Sequence, residues 1–160
     1  MSDFDFQLYR LSPQFYLDYT RSQFPEILRK YDRPYSCFVF EISAGVFICI
    51  PYRSNISHQS AHLFSQSARS QQSRSGLDFS KLVVVQNLDY LEDEPAPLVD
   101  QDEYRETVQN IDEIAQKVID YIQNYINHHS GQNRLHHRDY QRRYGFSTLP
   151  YFEHMLSNIF

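Results

Sequence analysis

The chain of 160 residues contains no tryptophan and two cysteines. Cys37 and Cys49 are too few for the disulfide framework of a small secreted domain, and they lack the spacing of zinc ligands. Small apolar packing residues is the reading they support. Lysine is scarce as well, with three against twelve arginines. No apolar run approaches the roughly 18 residues that mark a membrane-spanning helix. The polar start of the chain, from Met1 to Arg10, does not read as a signal peptide. The expectation is a soluble cytoplasmic protein. No internal repeat and no second-domain boundary is visible, so residues 1–160 are read as a single domain.

What the chain has in quantity is aromatic surface. Thirteen tyrosines and twelve phenylalanines make 16% of the residues, and 41% are hydrophobic. That is enough apolar material to fold rather than remain disordered. Most of the rings belong in a core, although tyrosine also stacks on nucleic-acid bases. The net charge of −5 argues at first against a nucleic-acid partner. Its distribution reverses the argument. Residues 89–120 hold 11 acidic and 2 basic side chains, which leaves 13 basic and 9 acidic in the remainder. Local fields steer ligands, not the total, so an acidic helix beside a basic remainder is compatible with RNA on one face.

Ser12-Pro13 opens a short helix to about Thr20, and Pro25 opens a second helical piece over residues 26–30. Residues 35–41 and 46–50 read as a β-hairpin joined by Ser43-Ala44-Gly45, its second strand apolar enough to be central. Leu82-Val83-Val84-Val85-Gln86 is another central strand. Residues 65–76, rich in Ser and Gln, have little to bury. They read as a mobile loop or a frayed helix, or as a loop ordered by RNA through Arg69 and Arg74. Asp100 caps the longest helix, over residues 101–129. Its packing stripe is Tyr104, Val108, Ile111, Ala115, Val118, Ile122 and Tyr125, and Gly131 stops it. His128 and His129 serve its C-terminus. A last short helix follows Ser147 or Thr148, around residues 150–159.

Two stretches carry chemistry. The first is Pro51-Tyr52-Arg53-Ser54-Asn55-Ile56-Ser57-His58. Pro51 has no backbone N–H and is expected to stop strand pairing there. The chain then leaves the sheet with Arg53, Ser54 and His58. Arginine grips phosphate with two donors, serine adds a hydrogen bond, and histidine moves a proton near neutral pH. The alternative is a polar exit loop solvated for its own sake. The second stretch runs from Arg134 to Tyr144 and includes Arg138, Arg142 and Arg143 with interleaved aromatics. Phosphate binding and a plain solvated surface both fit it.

Four segments together resemble a known family. They are Arg33-Pro34-Tyr35, the Pro51 to His58 stretch, Gly76-Leu77-Asp78-Phe79-Ser80-Lys81, and Tyr144-Gly145-Phe146-Ser147-Thr148-Leu149-Pro150-Tyr151-Phe152. Their order and spacing, from about Tyr31 to the end, resemble the toxins of type III toxin–antitoxin systems. The TenpN branch is nearest, with ToxN and AbiQ more distant. The resemblance implies an α+β fold: a highly twisted antiparallel β-sheet or partial barrel with a Kid/MazF-like core, a long packing helix and short flanking helices. It further implies an endoribonuclease that needs no metal or cofactor. Its partners would be substrate RNA and an RNA antitoxin of short folded repeats, which inhibits it in a toxin–RNA hetero-oligomer. Many such systems defend bacteria against phage by abortive infection.

Residue by residue, the resemblance sets Arg33 beside the first strand as a basic residue and Ser54 as the serine of the active-site turn. Arg53 stands where the ToxN type has a small hydroxyl residue, and Ile56 where it has a lysine. The expected catalytic set is Arg33, Arg53, Ser54, His58 and Lys81. The expected RNA contacts are Tyr52, Asn55, Arg69, Arg74, Arg134, Arg138, Arg142 and Arg143. Two rival classes remain: a non-catalytic RNA-binding protein, and a metal-dependent hydrolase using His58 and His62 on one helical face.

Overall fold

A computed structural model describes residues 5–29 and 35–160. Arg33 therefore lies outside the described residues. Among the described residues, fifteen elements surround one hydrophobic core. The first are strand β1 (Gln7–Leu11), helix α1 (Pro13–Asp18), strand β2 (Ser36–Ser43) and strand β3 (Val46–Arg53). The Ser12 hydroxyl caps α1 by accepting from the Phe15 N–H, with Pro13 in the first turn. Residues 25–27 form turns instead of the expected second helix. Gly45, at φ 76°, closes the β2–β3 hairpin as its sequence anticipates.

β3 is the centre of the sheet. Its first six residues pair with β2, from Val46 opposite Ser43 to Pro51 opposite Cys37. On its other edge, residues 47–49 pair with β6 (Val83–Val85), and Tyr52 and Arg53 pair with β5 (Gly76–Asp78). Contrary to the expectation from its missing N–H, pairing does not stop at Pro51. It transfers from one edge to the other, and the proline falls where the β2 ladder ends. β4 (Ala61–Leu63) flanks β5, and β1 joins β2 to the two-residue β7 (Leu91–Glu92). The result is a twisted seven-stranded antiparallel sheet that does not close into a barrel. Cys37 and Cys49 are free, buried in the core, and act as small apolar residues.

Six α-helices among the described residues complete the α+β fold. The remaining five are α2 (Ala68–Gln72), α3 (Gln101–Gln109), α4 (Ile111–Ser130), α5 (His137–Tyr144) and α6 (Leu149–Leu156). The expected single long helix is broken at Asn110. The Asn110 side-chain amide donates to the Glu106 carbonyl, and its backbone N–H turns to Thr107 instead. A side chain that captures the backbone in this way bends a helix. The bend changes the buried face. Ile111, Ala115, Val118, Ile122 and Tyr125 of α4 enter the core as the stripe requires, joined by Ile114 and Tyr121. In α3, Tyr104 and Val108 are exposed, and Glu103, Glu106 and Thr107 are buried in their place.

The two buried acids explain the tract at 65–76. Glu106 accepts from the backbone N–H groups of Ser65 and Gln66. Glu103 accepts from the hydroxyls of Ser67 and Ser75 and, at two donors, from Arg69. The tract is a tightly bonded segment containing α2, neither frayed nor loose. Among the described residues no helix is long and apolar enough to cross a membrane.

Candidate active site

The site is built where β5 runs into a single 3₁₀ turn, Phe79–Lys81. Asp78 is fully buried at that junction. Its Oδ1 accepts from the backbone N–H and the hydroxyl of Ser80, at 3.0 and 2.6 Å. His58 Nε2 lies 3.1 Å from the same oxygen, and Arg53 Nη1 donates to Oδ2 at 2.7 Å. Burial alone would raise the Asp78 carboxyl. The hydrogen bonds from His58, Ser80 and Arg53 outweigh it and hold the group below its ordinary value. The carboxylate is therefore ionised at neutral pH and gathers two side chains that sequence reading had drawn from one loop.

The two ends of His58 are distinct. Nδ1 accepts from the Ser60 backbone N–H at 3.1 Å, which leaves the proton of the neutral ring on Nε2, facing Asp78. A carboxylate that fixes one nitrogen of an imidazole leaves the other as the base, the logic of a catalytic His–Asp pair. Ser80 Oγ is 3.2 Å from Nε2, on the Asp78 side of the ring. It is thus a member of the anchor and not a nucleophile activated by the histidine. Arg53 gives Asp78 one donor, and its remaining donors have no partner among the described residues.

His58 faces a cleft of about 780 Å³. Its other wall is α4, with Lys117, Asp120, Tyr121 and Asn124, and the end of α5, with Arg142 and Arg143. Tyr121 positions that wall: its hydroxyl donates to the Arg143 carbonyl and lies 3.0 Å from Ser147 Oγ. The C-terminal segment is tied to the Asp78 turn, because Thr148 donates its N–H to the Ser80 carbonyl and its hydroxyl to that of Leu82. His58 and the Arg142–Arg143 pair, some 85 residues apart in the chain, are thereby brought to one opening, whereas Arg53 and Ser54 do not line it.

The other expected residues have different settings. Lys81 points to the Phe146 carbonyl, at 2.8 Å, and to Glu26, at 3.5 Å, and does not line the cleft. Arg74 donates to the carbonyls of Ile56 and His58 and so clamps the loop that carries His58. Tyr52 is buried with its hydroxyl 2.8 Å from Thr107 Oγ1. Asn55, at φ 58°, supplies the left-handed step of the turn, a conformation that asparagine tolerates. Ser54 is half-buried beside it. Arg134 and Arg138 are exposed beyond the cleft, whereas Arg69 is held by Glu103.

His62 does not join His58 on a helix. It stands in β4, buried, against Phe64 and 3.4 Å from Lys117 Nζ. Burial and then the Lys117 charge push its pKa down to about 4. Among the described residues no group of three or more His, Cys, Asp or Glu is arranged to hold a metal ion. Asp78, Ser80, Lys117 and Tyr121 are the site residues that sequence reading missed. The first two have a local signal: Asp-x-Ser after a strand lets the carboxylate accept the N–H two residues on, an Asx turn. No family model, no curated protein and no solved structure matches the chain.

Proposed function

We propose that the protein is an endoribonuclease that cleaves RNA through its own 2′-hydroxyl, without a metal. The observation that carries this reading is the Asp78 anchor. It orients a histidine at the edge of a cleft whose far wall bears Lys117, Arg142 and Arg143, and holds the Arg53 guanidinium on its other oxygen, outside the residues that line the cleft. In the reaction the 2′-oxygen attacks the adjacent phosphorus and the bond to the 5′-oxygen breaks, the leaving oxygen taking a proton from water. The products are a 2′,3′-cyclic phosphate and a 5′-hydroxyl.

His58 Nδ1 takes the 2′-hydroxyl proton, which replaces the Ser60 N–H as its partner. Proton transfer by a positioned group contributes about 10²–10⁴-fold. The free donors of Arg53 stabilise charge on the non-bridging oxygens, the larger effect in such sites. Ser54 adds a hydroxyl from the same turn. The basic wall holds the flanking phosphates.

The resemblance to type III toxins, nearest the TenpN branch, agrees with this chemistry. It supplies the rest of the proposal: a cytoplasmic toxin inhibited by a folded repeat RNA within a toxin–RNA assembly, serving phage defence by abortive infection. Short tandem DNA repeats and a terminator immediately upstream of the gene would support the partner.

The enzyme is tested by product analysis on single-stranded RNA with a chelator present. Cyclic-phosphate ends that vanish in His58→Ala are the expected result. Binding without cleavage would leave a non-catalytic RNA-binding protein, and cleavage abolished by the chelator would point to metal-dependent hydrolysis.

A further inference from the structure

The cleft contains one group that a phosphate site does not want. Asp120 projects from α4 among Lys117, Arg142 and Arg143, yet pairs with none of them. Lys117 is held by Glu113 at 3.2 Å, and Arg142 by Asp139. Among the described residues Asp120 takes only a neutral hydrogen bond, from Gln116 Nε2 at 2.9 Å to Oδ1. One turn further along the same helix face, the Asn124 amide lines the cleft with no partner among the described residues. A bare carboxylate repels the phosphate backbone. It is useful in such a cleft only toward N–H donors.

RNA offers those donors on its bases, and single strands present their Watson–Crick edges to proteins. Adenine and cytosine each give one amino group beside an acceptor, and uracil one N–H between two carbonyls. Guanine alone offers two adjacent donors, N1–H and the 2-amino group, with a carbonyl next to them. A carboxylate accepts from both, and an amide four residues on, about one helical turn away, donates to the carbonyl. We propose that Asp120 and Asn124 form a guanine-reading subsite, which makes the site a nuclease that cuts next to guanine. The inference rests on the RNA-cleaving reading and extends it to base choice.

The test separates binding from cleavage. Short single-stranded oligonucleotides carry one variable base, with 2′-deoxyribose at the point of attack so that nothing is cut. Binding to the wild-type protein is measured by fluorescence anisotropy. Guanine should bind about ten- to a hundredfold tighter than inosine, which lacks the 2-amino group, or adenine. Asp120→Asn should remove that preference, and Asn124→Ala should reduce it. Equal affinity for the three bases in the wild type overturns the guanine subsite, whatever the cleavage assay gives. Cleavage of the all-ribose oligonucleotides is scored separately. Its absence, with the guanine preference intact, overturns the nuclease and keeps the subsite.

Discussion

Of the three buried carboxylates among the described residues, Glu103 and Asp78 are used differently. Glu103 is saturated. Two serine hydroxyls and two guanidinium donors of Arg69 meet it, and it fastens residues 65–76 to α3. Asp78 is equally buried, but it spends a single Arg53 donor and holds a histidine whose other nitrogen can exchange partners. The arginines are similarly exposed, at 30% for Arg53 and 34% for Arg69. Exposure therefore does not separate the two sites. Spare donor capacity beside a titratable group does.

The sharpest way to break the comparison is to neutralise each acid. Asp78→Asn leaves the Arg53 guanidinium and the His58 ring around a neutral amide. We expect RNA cleavage to fall by at least about a hundredfold, together with a stability loss of about 3–5 kcal/mol, typical of breaking a buried pair. Glu103→Gln should cost a similar stability in denaturant melts. Cleavage per folded molecule should stay within about threefold of wild type, a ratio set by well under 1 kcal/mol of barrier. If Glu103→Gln silences cleavage as Asp78→Asn does, the division between scaffold and site is wrong.

His58→Gln is the next largest. Cleavage should drop about 10²–10⁴-fold with a melting point close to wild type. A large fall in melting point with cleavage retained would make His58 a structural residue.

Acid separates the buried groups by pH window. His62 has a folded pKa near 4, below its unfolded value of about 6.5. The unfolded chain thus binds more protons in that interval, and stability falls as pH drops from about 6.5 toward 4, by up to about 1.4 kcal/mol per pH unit. The Asp78 contribution is present above the ordinary carboxyl pKa and is lost only at lower pH, as the group protonates. Denaturant melts of His62→Phe should lose the slope in the upper window and keep the acid limb. An unchanged upper slope would assign that window to another group.

The smallest effect is electrostatic. Replacing Arg142 and Arg143 by alanine should reduce the magnitude of the slope of log affinity against log salt for single-stranded RNA by about 1.4, that is about 0.7 for each phosphate no longer neutralised. An unchanged slope would remove these arginines from the interface.

Much of this was legible in the chain. The β2–β3 hairpin, the α4 stripe, the Gly131 stop and the Arg53–His58 loop all follow from local pattern. β1 was not, because Gln7-Leu8-Tyr9-Arg10-Leu11 alternates weakly and its partner β2 lies some 30 residues further along the chain. The break at Asn110 was hidden for a related reason. A periodic count runs on through a side-chain-to-backbone bond that no spacing rule contains. Asp78 was read as part of a motif and not as its centre. Its importance comes from two partners met only after folding, Arg53 and His58, beside the local turn with Ser80.

Gly76 gives the architecture a genetic signature. It lies opposite Arg53 and two residues before Asp78, and any Cβ placed there would sit 2.2 Å from the His62 carbonyl oxygen. Even alanine must force β4 and β5 apart and carry both charged partners with them. In a survey of random substitutions, position 76 should therefore yield loss-of-function alleles as uniformly as Asp78 does. A residue with no functional group would score as if it were part of the chemistry.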